Sequence, residues 1–302
     1  MEIKTAIITA AGFGSRFLPF VKNIPKEMLP IINKPSIQYL VEECIDAGIE
    51  RVIIVVREGN TLIEDYFNKP APEVEELLRA QGKESRFEPV KKILDYKGVV
   101  VINQDPSLPY GNGSPVYSAK HLLVPNEPFV IMFGDDMVIP DGDKGGLEQM
   151  IDFYEENKAD TDLVIAGVKL TKEEVIGVYG TVKFKEYDEE KKSGVMDYQI
   201  EKPTLEEFEK HGLSTCMSYG RMVSNHKLFN YLKPDAIGKD GELWVQDAVA
   251  EVARNSKVMV KILDGRWLTT GDPERYFQAV THYYLKHSKY GDQTRQFLSD
   301  LG

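Results

Sequence analysis

Short apolar runs broken by turn residues dominate the first half of the chain. Thr5-Ala6-Ile7-Ile8-Thr9 is continuously apolar and gives way to Gly12 and Gly14, as a strand buried on both faces of a parallel sheet does. Pro35-Ser36 then opens a helix whose apolar positions Ile37, Leu40, Val41, Cys44 and Ile45 follow helical spacing, closed by Gly48. Arg51 to Val56 is a second buried strand, so the three elements form a βαβ unit with a right-handed crossover. The alternation predicts strands at Val99 to Asn103 and Pro128 to Phe133, and helices at Ser114 to Leu123 and Gly145 to Asn157.

Between Asn68 and Tyr96 the chain is rich in Glu, Lys and Arg, which predicts a mostly helical, solvated insertion over 68–96. After about residue 160 two-residue periodicity takes over, at Leu163 to Val168, Gly180 to Phe184, Met196 to Ile200 and Cys216 to Val223. Helices are expected at Leu243 to Ala253 and Asp272 to His287. The predicted class is α/β: a Rossmann-like, open, mixed but mainly parallel sheet flanked by helices. The expected organisation is one domain over 1–271, with halves at about 1–140 and 141–271, then a helical C-terminal tail over 272–302 that serves a subunit contact.

Composition changes this picture in one respect. With 37 Lys and Arg against 48 Asp and Glu, the net charge of −11 disfavours nucleic acid, and any polyanionic ligand must be held by a few placed cations or a metal. Cys44 and Cys216, far apart and within apolar runs, read as core thiols in a reducing compartment. With neither a leader pattern nor a long apolar window, a cytoplasmic protein away from membranes is expected. The five histidines lack metal-ligand spacing and read as surface or core residues.

The stretch richest in candidate chemistry is Ala10-Ala11-Gly12-Phe13-Gly14-Ser15-Arg16, with Lys22 and Pro25-Lys26-Glu27-Met28-Leu29-Pro30 close behind. Glycines after a first strand let backbone N–H groups approach phosphate oxygens, and Arg16, Lys22 and Lys26 supply cations for a triphosphate. The P-loop pattern is absent, and Gly12-x-Gly14 alone fits a plain turn as well. Asp135, after the run Phe129 to Phe133, places a hard oxygen ligand where open α/β sheets bind ligands. Its neighbour Asp136 better suits the ordinary role of ending a strand and capping the next segment.

Gly12-x-Gly14-Ser15-Arg16-x-Leu18-Pro19 with Ile24 to Pro30 resembles the signature of the sugar-1-phosphate nucleotidyltransferases. The resemblance continues in order through Gln104, Gly111-x-Gly113, Asp135, Tyr179-Gly180, Glu201-Lys202-Pro203, Tyr219-Gly220-Arg221 and Gly271-x-Pro273, spanning about residues 3 to 285. It implies a nucleotidyltransferase fold of the GT-A-like kind, Mg2+ as cofactor, and a homo-oligomer, dimer or tetramer. The Pro-Lys-Glu-Met-Leu-Pro form is most similar to the bacterial branch that joins UTP to glucose 1-phosphate.

By resemblance, the catalytic set is Arg16, Lys26, Asp135 and Lys202, with Asp135 as the metal ligand. The nucleotide is expected against Ala11, Gly12, Gly14, Ser15, Arg16, Lys26, Gln104 and Gly113. The sugar phosphate is expected against Gly180, Glu201, Lys202 and Gly220. Related chains commonly carry a second metal aspartate two residues before Gly271, where this one has Thr269. Alternatives are a thymidylyl or other sugar specificity, and a binding module without turnover. A nicotinamide-dependent dehydrogenase is disfavoured, because this chain has Phe17 where that fingerprint needs its third glycine.

Overall fold

The structure is a computed structural model describing residues 2–238 and 241–301. In chain order the strands are β1 (Thr5–Ala10), β2 (Pro30–Ile31), β3 (Lys34–Pro35), β4 (Arg51–Val56), β5 (Val99–Asn103), β6 (Phe129–Phe133) and β7 (Asp136–Pro140). There follow β8 (Leu163–Lys169), β9 (Thr181–Asp188), β10 (Ser193–Ile200), β11 (Cys216–Ser224), β12 (Val258–Ile262) and β13 (Gly265–Thr269). Among the described residues, nine strands make one sheet in the order β5-β4-β1-β6-β11-β8-β12-β10-β9, while β13 pairs with β7 and β2 with β3.

The expected α/β class holds, but the expectation of a mainly parallel sheet is corrected. β5, β4, β1 and β6 are mutually parallel, as are β8 and β12. The remaining neighbours, β6 with β11, β11 with β8, β12 with β10 and β10 with β9, are antiparallel. The turn between Asp188 and Ser193 is too short for a crossover helix, so β10 can only return antiparallel to β9.

Strand alternation produces two cores. Ala6 and Ile8 of β1 point to a face packed by Ile37, Leu40 and Val41 of helix Ser36–Asp46 and by Leu147 and Met150 of helix Gly146–Asn157. Ile7 points the other way, toward Val116 of helix Gly113–Ala119 and Val249 and Val252 of helix Val245–Asn255. Each fully buried Ile or Val contributes roughly 1.5–3 kcal/mol, so the central strands are heavily anchored and their carboxyl-end loops are held from beneath. Cys44 and Cys216 are buried free thiols, as read from the sequence.

The 68–96 stretch is helical as expected: Pro72–Ala80 has no buried residue, and Glu88–Leu94 buries only Ile93. The C-terminal tail is also helical, Pro273–Lys286 and Gly291–Asp300, and exposes Phe277, Phe297 and Leu301. Among the described residues no helix is long and apolar enough to cross a membrane.

Candidate active site

Four parallel strands end on one edge of the sheet, and the residue that follows each is a candidate side chain. Along the order β5, β4, β1, β6 these are Gln104, Arg57, the Ala11-Gly12 loop and Gly134-Asp135. Neighbouring strands lie about 4.8 Å apart, so this row extends over roughly 14 Å, the scale of a nucleotide. A cavity of about 330 Å³ opens there, lined by Thr9, Ala11, Gly12, Lys26, Gln104 and Asp135 among others.

At the β6 end, Lys26 Nζ donates to Asp135 Oδ2 at 2.8 Å and lies 3.1 Å from Glu27 Oε1. Burial disfavours a charged lysine, but the Asp135 and Glu27 carboxylates outweigh it and hold the ammonium protonated. Burial likewise pushes Asp135 up, yet Lys26, with Arg16 adding, holds its carboxyl below the usual carboxylate range. Asp135 is 29% exposed at its side chain and is thus a charged acceptor at the mouth of the cleft. Thr9 O and Glu27 Cγ stand 2.6 and 3.0 Å from where a Cβ on Gly134 would lie, so this turn leaves no room for a side chain.

Asp136 departs from the expected strand-ending role. It opens β7, is 8% exposed, and accepts from Gly220 N and from Trp267 Nε1, each at 3.0 Å. Burial and the neighbouring Asp135 charge raise its carboxyl to about 7, against the pull of those two donors. It therefore joins β7, β11 and β13, and both of its oxygens are engaged by the protein. A Cβ on Gly220 would fall 2.1 Å from the Phe133 ring, so only glycine allows β11 to close against the end of β6.

The sequence-expected residues fall into two groups. Ala11, Gly12, Lys26, Gln104 and Asp135 line the cavity. Gly14, at φ +61, would press a Cβ onto the Lys26 side chain, and Ser15 and Arg16 form the exposed turn that follows. Gly113 does not line the cavity: it is buried against Leu232 and Leu243 and donates its N–H to Leu243 O at 2.8 Å. In the second group, Glu201 Oε2 abuts Gly180, and Lys202, at φ +48, donates its N–H to Tyr179 O at 3.2 Å. Gly220 donates its N–H to Asp136, next to Asp135 of the first group.

Several further cavity residues carry no site role on sequence grounds, among them Glu27, Phe13, Arg57, Tyr110 and Trp244. An aromatic residue between two loop glycines was a signal available for Phe13, and a cation straight after a buried strand for Arg57. Nothing local announces Tyr110 or Trp244, which arrive with the loop after β5 and the segment 242–246. Those two stretches are laced together, Leu243 N donating to Tyr110 O and Val245 N to Asn112 Oδ1.

For a divalent cation the donor set is one acidic side chain and one neutral one. Asp135 Oδ2 and Thr269 Oγ1 lie 3.0 and 3.3 Å from the position of a Cβ on Gly271, so they face a common point. Among the described residues no cluster of three His, Cys, Asp or Glu side chains is arranged for a metal. This fits magnesium arriving with a triphosphate, since that ion often takes one or two carboxylates and completes its shell with phosphate oxygens and water.

Comparison with known proteins agrees with this geometry. The model of the Nucleotidyl transferase family matches residues 5–285. The chain is 33% identical over 300 residues to a UTP--glucose-1-phosphate uridylyltransferase of Bacillus subtilis (strain 168), covering 99% of this chain and 97% of that relative. Among solved structures, a UTP-bound UGPase from Acinetobacter baumannii superposes with a TM-score of 0.85 at 29% identity, covering 99% of this chain and all (100%) of that one. A UDP-glucose pyrophosphorylase complexed with UDP-glucose gives 0.79 at 29% identity, over 94% of this chain and 100% of the other. With a sheet edge that gathers glycine backbone, a lysine–aspartate pair and a glutamine around one cleft, and a family match from the first strand into the C-terminal tail, this chain belongs to the nucleotidyl transferase family.

Proposed function

We propose that the protein is a UTP:glucose-1-phosphate uridylyltransferase, which transfers the uridylyl group of UTP to glucose 1-phosphate and releases pyrophosphate. The observation that carries this reading is the Lys26–Asp135 pair at one end of the same cavity whose other end holds Gln104. A cation and a metal-compatible carboxylate at one end and an amide with both donor and acceptor at the other match a nucleotide's two ends. The relatives named for this activity at 33% identity support the choice of substrates.

In this reading a phosphate oxygen of glucose 1-phosphate attacks the α-phosphorus of UTP in line, and the bond to the β-phosphate bridge breaks. The chain contributes position and charge, and no nucleophile of its own. Ala11, Gly12, Gly14 and Ser15 offer backbone to the phosphates, which Arg16 and Lys26 neutralise. Gln104 reads the uracil edge, while Gly113 sets the loop around it. Glu201 binds glucose hydroxyls, Lys202 takes the sugar phosphate, and Gly180 and Gly220 allow close approach.

Asp135 would hold Mg2+, with Thr269 at the usual second position. When bound, that ion neutralises charge shared by the reacting phosphates. Residues 1–140 form the nucleotide half and 141–271 the sugar half, with 272–302 as a tail for contact between subunits of a cytoplasmic homo-oligomer. A matrix of nucleoside triphosphates against sugar 1-phosphates with Mg2+, scored by pyrophosphate release, tests the reading. UTP with glucose 1-phosphate should be fastest; a maximum at dTTP would transfer the assignment to thymidylyl transfer.

A further inference from the structure

Arg57 follows β4 directly and lines the nucleotide cavity, half-buried, with its guanidinium carbon 4.6 Å from the centre of the Phe13 ring. The Phe13 ring in turn lies 5.8 Å from that of Tyr110, and both residues are more than half exposed, at 55% and 54%. Among the described residues the guanidinium makes no hydrogen bond or ion pair, although the chain carries 48 carboxylate side chains against 37 basic ones. A planar group with five N–H donors, held on an aromatic face and lacking an acceptor, is equipped to donate to something that enters the cavity.

Its place in the row of strand ends indicates which part of a nucleotide it meets. Gln104 N donates to Val56 O at 2.7 Å, and β4 is the immediate neighbour of β5. Arg57 is thus one strand, about 5 Å, from Gln104 and two strands, about 10 Å, from Asp135. It belongs to the base end of the cavity. Uracil presents N3–H between two carbonyl oxygens, so Gln104 can satisfy N3–H and one oxygen, and the other can accept from a further donor. Cytosine carries an amino group at position 4, which would confront the guanidinium with a second donor.

We propose that Arg57, held by Phe13, donates to the 4-oxo group of the base and sets the preference for uracil over cytosine. This rests on the cavity being a uridine nucleotide site, and it adds a residue that specifies the base. The test is calorimetric titration of UTP, dUTP and CTP, with Mg2+, into the parent, Arg57→Met and Arg57→Lys. Methionine keeps an apolar stem over Phe13 and removes the donors; lysine keeps the charge and loses the fork. Thermal unfolding of each variant establishes that it is folded.

Arg57→Met should lose about ten- to a hundredfold in UTP and dUTP affinity while CTP changes less than about twofold, collapsing the UTP preference, and Arg57→Lys should fall between. Equal losses for UTP and CTP would place Arg57 on a group that the two share, the 2-oxo group or the phosphates, and overturn the proposal. A loss for UTP that dUTP does not share would place it on the ribose 2′-hydroxyl and overturn the proposal as well. Unchanged UTP binding in Arg57→Met also contradicts it. A parent that binds none of the three contradicts the uridylyl-transfer reading itself, an outcome distinct from the others.

Discussion

Asp135 and Asp136 are adjacent, alike in chemistry and opposite in circumstance. Asp135 is held ionised by Lys26 and faces the cleft, whereas Asp136 is buried, shifted to about 7, and accepts from two N–H donors. An ionised carboxylate offers two accepting oxygens, whereas an amide offers one and an NH2 donor. Asp136→Asn therefore turns an NH2 toward Gly220 N or Trp267 Nε1 and should cost about 1–3 kcal/mol, seen as a lower urea midpoint with unchanged slope. An unchanged midpoint would show that the two donors find other acceptors. For the cations, Lys26→Ala should lower kcat/KM for UTP by roughly 30- to 1,000-fold. Lys202→Ala should raise KM for glucose 1-phosphate more than for UTP, and the reverse ranking would reassign the two lysines.

Among the elements, helix Ser36–Asp46 joins the sheet to the charged insertion. Glu42 on that helix accepts from Lys34 Nζ at 2.6 Å, Gln38 Nε2 at 3.0 Å and Tyr96 OH at 2.6 Å. Burial alone would raise its carboxyl, but Lys34, Tyr96 and Gln38 outweigh it and hold it below its ordinary 4.5. A depressed carboxylate stabilises the fold above the unfolded value and loses that contribution as pH falls through the folded one. Glu42→Gln should cost about 1–2 kcal/mol at neutral pH and flatten the fall in melting temperature between about pH 6 and pH 3. Parallel melting curves for parent and variant would refute this.

The elements also differ in how far the sequence announced them. β1, β4 and β6 are runs buried on both faces, so their hydrophobicity made them legible, and the loops that follow them carried Gly12, Gly14 and Asp135 in plain order. β7 and β13 are short, and their identity comes from pairing across the chain, Thr269 opposite Asp136 and Trp267 opposite Val138, a register that local pattern does not carry. Arg57, Phe13 and Tyr110 meet only once the sheet has formed, and so they were missed.

Over the whole molecule, a net charge of −11 repels anions in general, while the cleft sets Lys26 at the end of an apolar sheet with Arg16 on the loop beside it. Selective anion binding by an acidic protein requires this concentration of cations at one place. One sheet runs through both halves of the chain, and β11 brings Gly220 from the second half against Asp136, next to Asp135 at the cavity. Uridylyl transfer at this junction, with Asp135 indispensable, is tested most directly by UDP-glucose formation from UTP and glucose 1-phosphate at saturating Mg2+. Chromatography of the products would be run for the parent and for Asp135→Asn. The parent should form product, and the variant should lose about a hundredfold or more. A parent that forms no UDP-glucose, or a variant as active as the parent, would contradict uridylyl transfer at Asp135.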